Sequence, residues 1–227
     1  MAMAKIEPPM IVLNVKAYLE SMGEKGLALA RACEEVSEQS GIAIAICPQT
    51  TDLAWIARQV KIPCLAQHVD SVTPGSQTGW IALESIKSAG AAGSLVNHSE
   101  HRLKVAEIDE IITRARALDL LTIVCTNNLA VSKAVAALDP YALAVEPPAL
   151  IGSGIPVSKA EPEIVRGTVQ AVKAINKNVI VLCGAGITTG EDVKAAIELG
   201  SEGVLLASGV VKAKNPKAAL LDLVSLL

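Results

Sequence analysis

The sequence predicts an α/β chain, a single domain over residues 1–227 closed as a (β/α)8 barrel of parallel strands. Three observations carry that expectation. Short aliphatic runs alternate strictly with longer amphipathic stretches, eight of each. No composition break or Pro/Gly/Ser linker divides the chain. The signature of the main competitor, a doubly wound dinucleotide-binding sheet, is absent. Gly184-Ala-Gly186 runs on to Gly190 with one residue too many for G-x-G-x-x-G, and no acidic residue waits at the end of a following strand.

The strands are expected near 10–15, 42–47, 63–67, 92–97, 120–125, 141–145, 179–183 and 203–207. Each is a short apolar run of the kind found where both faces of a parallel sheet are buried. The helices between them are expected near 22–39, 51–59, 81–90, 102–118, 128–137, 161–175, 190–199 and 215–226. In the fourth, Ile108, Ile111, Ile112, Ala115 and Leu118 fall on one helical stripe.

Composition narrows the function. Hydrophobic residues are 51% and charged residues 19%, so a large core can form and wholesale disorder is excluded. Aromatics are 2% with no Phe, which leaves no stacking platform for single-stranded nucleic acid. The net charge of −3 and pI near 5.7 argue against any nucleic-acid partner. Mean hydropathy is +0.44, yet no apolar run reaches the roughly 18 residues of a membrane span. The opening MAMAKIEPPM lacks the long apolar stretch of a signal peptide. Five widely spaced cysteines with no C-x-x-C read as free thiols of a reducing, cytoplasmic compartment.

A barrel places its chemistry at the carboxyl ends of its strands. Asn14 and Lys16 close the first, and a spacing of two puts both side chains on one face. Lys16 either meets an anion or reaches water past the strand exit. Asn97-His98-Ser99-Glu100 closes the fourth strand, and the start of the following helix would favour a neutral imidazole at His98. A metal held by His98, Glu100 and His101 fits no common zinc spacing. His68, at the third strand's end, reads as structural.

Glu146-Pro147-Pro148 closes the sixth strand, and a carboxylate there must be solvated, paired or functional. The loop that follows, Ala149 to Ser158, is too apolar for an ordinary solvated loop. Either it packs in place, or Leu150 and Ile151 belong to a flap that closes over a ligand. Gly184-Ala-Gly186-Ile-Thr188 and Ala207-Ser208-Gly209 follow strands seven and eight, the usual phosphate position of a barrel. Small residues there let backbone N–H groups approach an anion.

Taken in order, Asn14-x-Lys16, Asn97-His-Ser-Glu100, Glu146-Pro-Pro148, Gly184-Ala-Gly186 and Ala207-Ser208 resemble the triosephosphate isomerase family, in its archaeal form, nearly end to end. The resemblance implies interconversion of dihydroxyacetone phosphate and D-glyceraldehyde 3-phosphate without cofactor or metal. It implies Glu146 as the base, His98 as a neutral electrophile, Lys16 as a fixed positive charge and Asn14 as a substrate-placing group, roles borrowed from that family's known pattern. It further implies phosphate binding by backbone groups at Ile151 or Ser153, Gly186, Ala207 and Ser208, under a lid spanning roughly 147–157. A homotetramer is expected by the same resemblance, with the 71–78 loop as a subunit contact. The rival readings are another phosphate-binding barrel, acting on phosphoribosyl or indole precursors, and a non-catalytic barrel that binds triose phosphates.

Overall fold

The computed structural model describes residues 6–147 and 156–227. Eight parallel strands run β1 (Met10–Asn14), β2 (Ala43–Cys47), β3 (Leu65–Ala66), β4 (Gly93–Val96), β5 (Leu121–Thr126), β6 (Ala142–Val145), β7 (Ile180–Gly184) and β8 (Gly203–Leu206). Their order around the sheet is β2-β1-β8-β7-β6-β5-β4-β3. The two ends meet where Ile46 bridges Cys64, with Ile46 N–H donating to the Pro63 carbonyl at 3.0 Å. The ring therefore closes as expected, although β3 spans two residues where five were predicted.

Side-chain alternation along each strand builds two concentric cores. Met10, Val12, Ala45, Cys47, Leu65, Leu95, Ile123, Cys125, Ala144, Leu182 and Leu205 form one buried cluster inside the barrel. Their neighbours, among them Ile11, Leu13, Ile44, Val124, Leu143 and Val181, face outward and pack beneath the helices. Ile6 plugs the lower end, where the Tyr141 hydroxyl accepts from Ile6 N–H (2.9 Å) and donates to its carbonyl (2.7 Å).

The outer layer is α1 (Glu24–Ser40), α2 (Leu53–Ala57), α3 (Leu83–Ser88), α4 (Val105–Ala117), α5 (Leu129–Ala136), α6 (Val157–Ala160), α7 (Pro162–Ile175), α8 (Gly190–Glu198), α9 (Ser208–Val211) and α10 (Pro216–Val224). The predicted stripe of α4 is buried at Ile108, Ile111, Ile112 and Ala115. Each fully buried Ile or Leu of this kind contributes about 1.5–3 kcal/mol. The single turns α6 and α9 were not predicted, since periodicity needs more than one turn to show.

The start of α4 corrects one expectation. The helix begins at Val105, so His98 does not stand at its N-terminus. The Asn97 side chain intervenes: its Oδ1 accepts from Leu103 N–H at 2.9 Å and its amide donates to the Cys125 carbonyl at 2.9 Å. Arg102 adds a bond to the Asn97 carbonyl at 3.1 Å. These bonds hold residues 97–103 as a loop, and Glu107 then opens α4 by accepting from Lys104 N–H at 2.8 Å.

Candidate active site

The inner face of the barrel ends in polar groups. Asn14 follows Met10 and Val12 along β1, and Glu146 follows Ala142 and Ala144 along β6, so alternation alone aims both into the mouth. The other groups depend on local left-handed backbone. Lys16, Asn97 and Ala185 have φ of 50°, 60° and 71°. Non-glycine residues rarely adopt that region, and three at strand exits around one cleft show where the fold holds strain. At Asn97 the reversal breaks the strand's alternation and sends His98, 7% exposed, into the cleft.

One open cleft gathers the predicted groups. Asn14, Lys16, His98, Glu146, Gly186, Ala207 and Ser208 all line it. Ile151 and Ser153, expected to contribute backbone N–H groups, lie outside the described residues, as does most of the 147–157 lid.

Glu146 is 6% exposed, and among the described residues its Oε2 meets no hydrogen-bond donor. His98 Nε2 stands 3.7 Å from that oxygen. Burial pushes the Glu146 carboxyl above the ordinary carboxylate range, against the opposing pull of His98, the Cys125 thiol, Lys16 and Arg102. A buried acceptor left unpaired costs about 1–3 kcal/mol. A general base is one place where such an arrangement is useful, because a carboxylate with a raised pKa and one oxygen unpaired is ready to take a proton.

The tautomer of His98 follows from a single bond. Glu100 N–H donates to Nδ1 at 3.2 Å. That nitrogen can accept only when unprotonated, so Nε2 carries the proton of the neutral ring and presents it to the cleft. The backbone donor beside the imidazole thus comes from a tight turn and not from a helix terminus.

Lys16 Nζ donates to Glu100 Oε1 at 2.8 Å. Its backbone is held from two sides: the carbonyl accepts from Gln49 (2.5 Å) and Gln67 (3.0 Å), while its N–H donates to Asn14 Oδ1 (3.0 Å). Sequence reasoning missed Gln67, although its place two residues beyond the inward Leu65 predicts an inward side chain.

Opposite these groups lie the turns after β7 and β8. Among the described residues, no acceptor meets the N–H groups of Gly186, Ala207 or Ser208. The Asp192 carboxylate braces the first turn, with Oδ2 accepting from Thr188 N–H, the Thr188 hydroxyl and Thr189 N–H, each at 3.0 Å. Gly209 lets the second turn lie on the first: an added Cβ would stand 3.0 Å from the Ile187 carbonyl. Three free donors facing one cleft suit a dianion without any excess of basic residues.

A carboxylate, an imidazole N–H and an ammonium at the carboxyl mouth of an eight-stranded barrel define an enzyme of the (β/α)8 class that moves protons. The family model described as triosephosphate isomerase matches residues 9–227. The chain is 60% identical over 215 residues to the triosephosphate isomerase of Methanocaldococcus jannaschii, covering 95% of this chain and 98% of that one. It is 57% identical over 217 residues to that of Methanobrevibacter smithii, covering 96% and 98%. It is 54% identical over 218 residues to that of Methanosarcina acetivorans, again covering 96% and 98%. The chain belongs to the triosephosphate isomerase family, and is therefore an isomerase of triose phosphates on a TIM barrel.

Proposed function

We propose that Glu146, His98, Lys16 and Asn14 interconvert dihydroxyacetone phosphate and D-glyceraldehyde 3-phosphate through an enediolate. Glu146 takes the pro-chiral proton from the carbon beside the carbonyl and returns it to the neighbouring carbon. His98 gives its Nε2–H to the substrate oxygen on which negative charge develops and recovers a proton from the neighbouring hydroxyl, so that carbonyl and hydroxyl exchange places. The Lys16 ammonium stabilises the same charge, and Asn14 places the oxygen. The phosphate sits on the N–H groups of Gly186, Ala207 and Ser208, which anchor the three-carbon chain between base and electrophile.

The observation that carries this assignment is the buried, unpaired Glu146 Oε2 facing the His98 nitrogen at 3.7 Å. Desolvation keeps that carboxylate basic, and a substrate seated over the pair would offer a C–H to Glu146 and the adjoining oxygen to His98 Nε2 at once. The chain acts as a single barrel domain, needs no cofactor, and works in the cytoplasm as a homotetramer. Exposed Leu19, Met22 and Trp80 support assembly, since such large apolar side chains gain by being covered. Among the described residues, no helix is long and apolar enough to cross a membrane.

The test is an assay of purified chain with D-glyceraldehyde 3-phosphate, coupled to reduction of dihydroxyacetone phosphate by NADH. Rapid NADH oxidation is expected. Glu146→Asp, which draws the carboxylate back by about 1 Å, should lower kcat roughly 10²-fold. Full activity in that variant would remove Glu146 from the base role.

A further inference from the structure

We propose that His68, Asp70 and His101 form a brace that positions the His98 imidazole, and that His68 and His101 are therefore positioning residues for proton transfer. The inference rests on the reading of His98 as the electrophile. It adds residues from the exit of β3 and from the far side of the turn after β4.

The geometry is a chain of contacts leading away from the cleft. His98 is presented by the tight turn 98–101, closed by His101 N–H donating to the His98 carbonyl at 2.8 Å. The same turn supplies the Glu100 N–H that sets the His98 tautomer and the Glu100 carboxylate that holds Lys16. The orientation of this turn thus sets two of the proposed catalytic groups at once. Its outer corner is His101, whose ring lies on that of His68 with centroids 3.7 Å apart and planes 14° from parallel.

His68 is in turn fixed in direction. Its Nε2 lies 3.0 Å from Asp70 Oδ1. The other Asp70 oxygen accepts from Ile81 N–H at 2.7 Å, and Asp70 N–H donates to the Ile81 carbonyl at 2.9 Å. Asp70 is therefore held by backbone on both sides and gives His68 a fixed partner. Burial holds the His68 imidazole below its ordinary range, with the Asp70 bond opposing and His101 adding to the shift. A neutral His68 donates Nε2–H to Asp70 and offers His101 a flat face without charge repulsion.

The adjoining residue strengthens the argument. Gln67 bonds the Lys16 and Cys47 carbonyls, each at 3.0 Å, so two consecutive residues at the β3 exit reach the backbone of Lys16 and the turn of His98. Stacking fixes the orientation of each ring against the other and so biases the four-residue turn that carries His101, and small displacements at a reacting centre have large effects on rate.

The experiment compares His101→Ala with His101→Tyr, which keeps a stacking ring, in the full chain. His101→Ala is expected to lower kcat about tenfold with KM and phosphoglycolate affinity within about twofold, and His101→Tyr to recover most of the loss. In ¹⁵N spectra at pH 8, His101→Ala should show His98 sampling both neutral tautomers, with His101→Tyr restoring one. Unchanged kcat in His101→Ala would overturn the proposal. So would a loss confined to KM, a failure of His101→Tyr to rescue, or a change in molecular mass by light scattering, which would assign the stack to assembly. His98→Gln, run in parallel, separates the two levels. If it retains full activity the electrophile reading fails, whereas a His98-dependent enzyme indifferent to His101→Ala defeats the brace alone.

Discussion

Gly184 forms the floor on which Glu146 lies: a Cβ added there would stand 2.3 Å from Glu146 Cγ and 2.9 Å from its Oε1. The β7 backbone thus sets the position of the β6 carboxylate from directly beneath. Gly184→Ala should push Glu146 toward the cleft or out of line with His98. A loss in kcat of roughly 10²-fold is expected, with phosphoglycolate affinity much less affected. Steady-state kinetics beside inhibitor titration check this, and wild-type kcat would show that the carboxylate has room to spare.

Burial raises the Glu146 carboxyl above its unfolded range, so the folded chain binds that proton more tightly than the unfolded chain. Stability from this group is complete below the unfolded value and is lost as pH rises through the folded one. At neutral pH the ionised group is a net cost. Glu146→Gln should therefore raise Tm at pH 8, by about 2–4 °C for each kcal/mol relieved in a chain of this size, and the gain should shrink toward pH 4. Differential scanning calorimetry across that range tests the sign. The acid limb of kcat/KM in the wild type should correspondingly lie above the ordinary glutamate range.

The bond from Glu100 N–H to His98 Nδ1 makes a spectroscopic prediction. At pH 8 the ¹⁵N signals of His98 should show a pyridine-type Nδ1 and a pyrrole-type Nε2. The reversed pattern would leave the cleft without an imidazole donor and contradict the proposed role.

Asp192 is 2% exposed and braces the turn that carries Gly186. Asp192→Ala leaves the Thr188 and Thr189 donors without their acceptor and removes the side-chain half of the α8 capping box. Stability should fall by about 1–3 kcal/mol, and KM should rise more than kcat falls. Urea unfolding and kinetics on one preparation separate the two effects. An unaltered KM would mean that the turn keeps its shape unaided.

The sequence by itself determined the parallel barrel and the positions of its strands, because buried strands must be aliphatic and helices must carry a stripe, and both periods are local. It also determined which polar groups end the strands: Asn14 and Glu146 simply continue an inward alternation. Only the tertiary structure decided the rest. His98 faces the cleft because Asn97 takes a left-handed backbone, held by Leu103 and by a carbonyl of the neighbouring β5 strand. The start of α4 moved to Val105 through the same bonds, which no periodicity registers. Gln67, Gly184 and Asp192 act across strands and turns distant in sequence. Backbone strain, close approach and desolvation are properties of packed neighbours, and a linear chain does not display them until those neighbours meet.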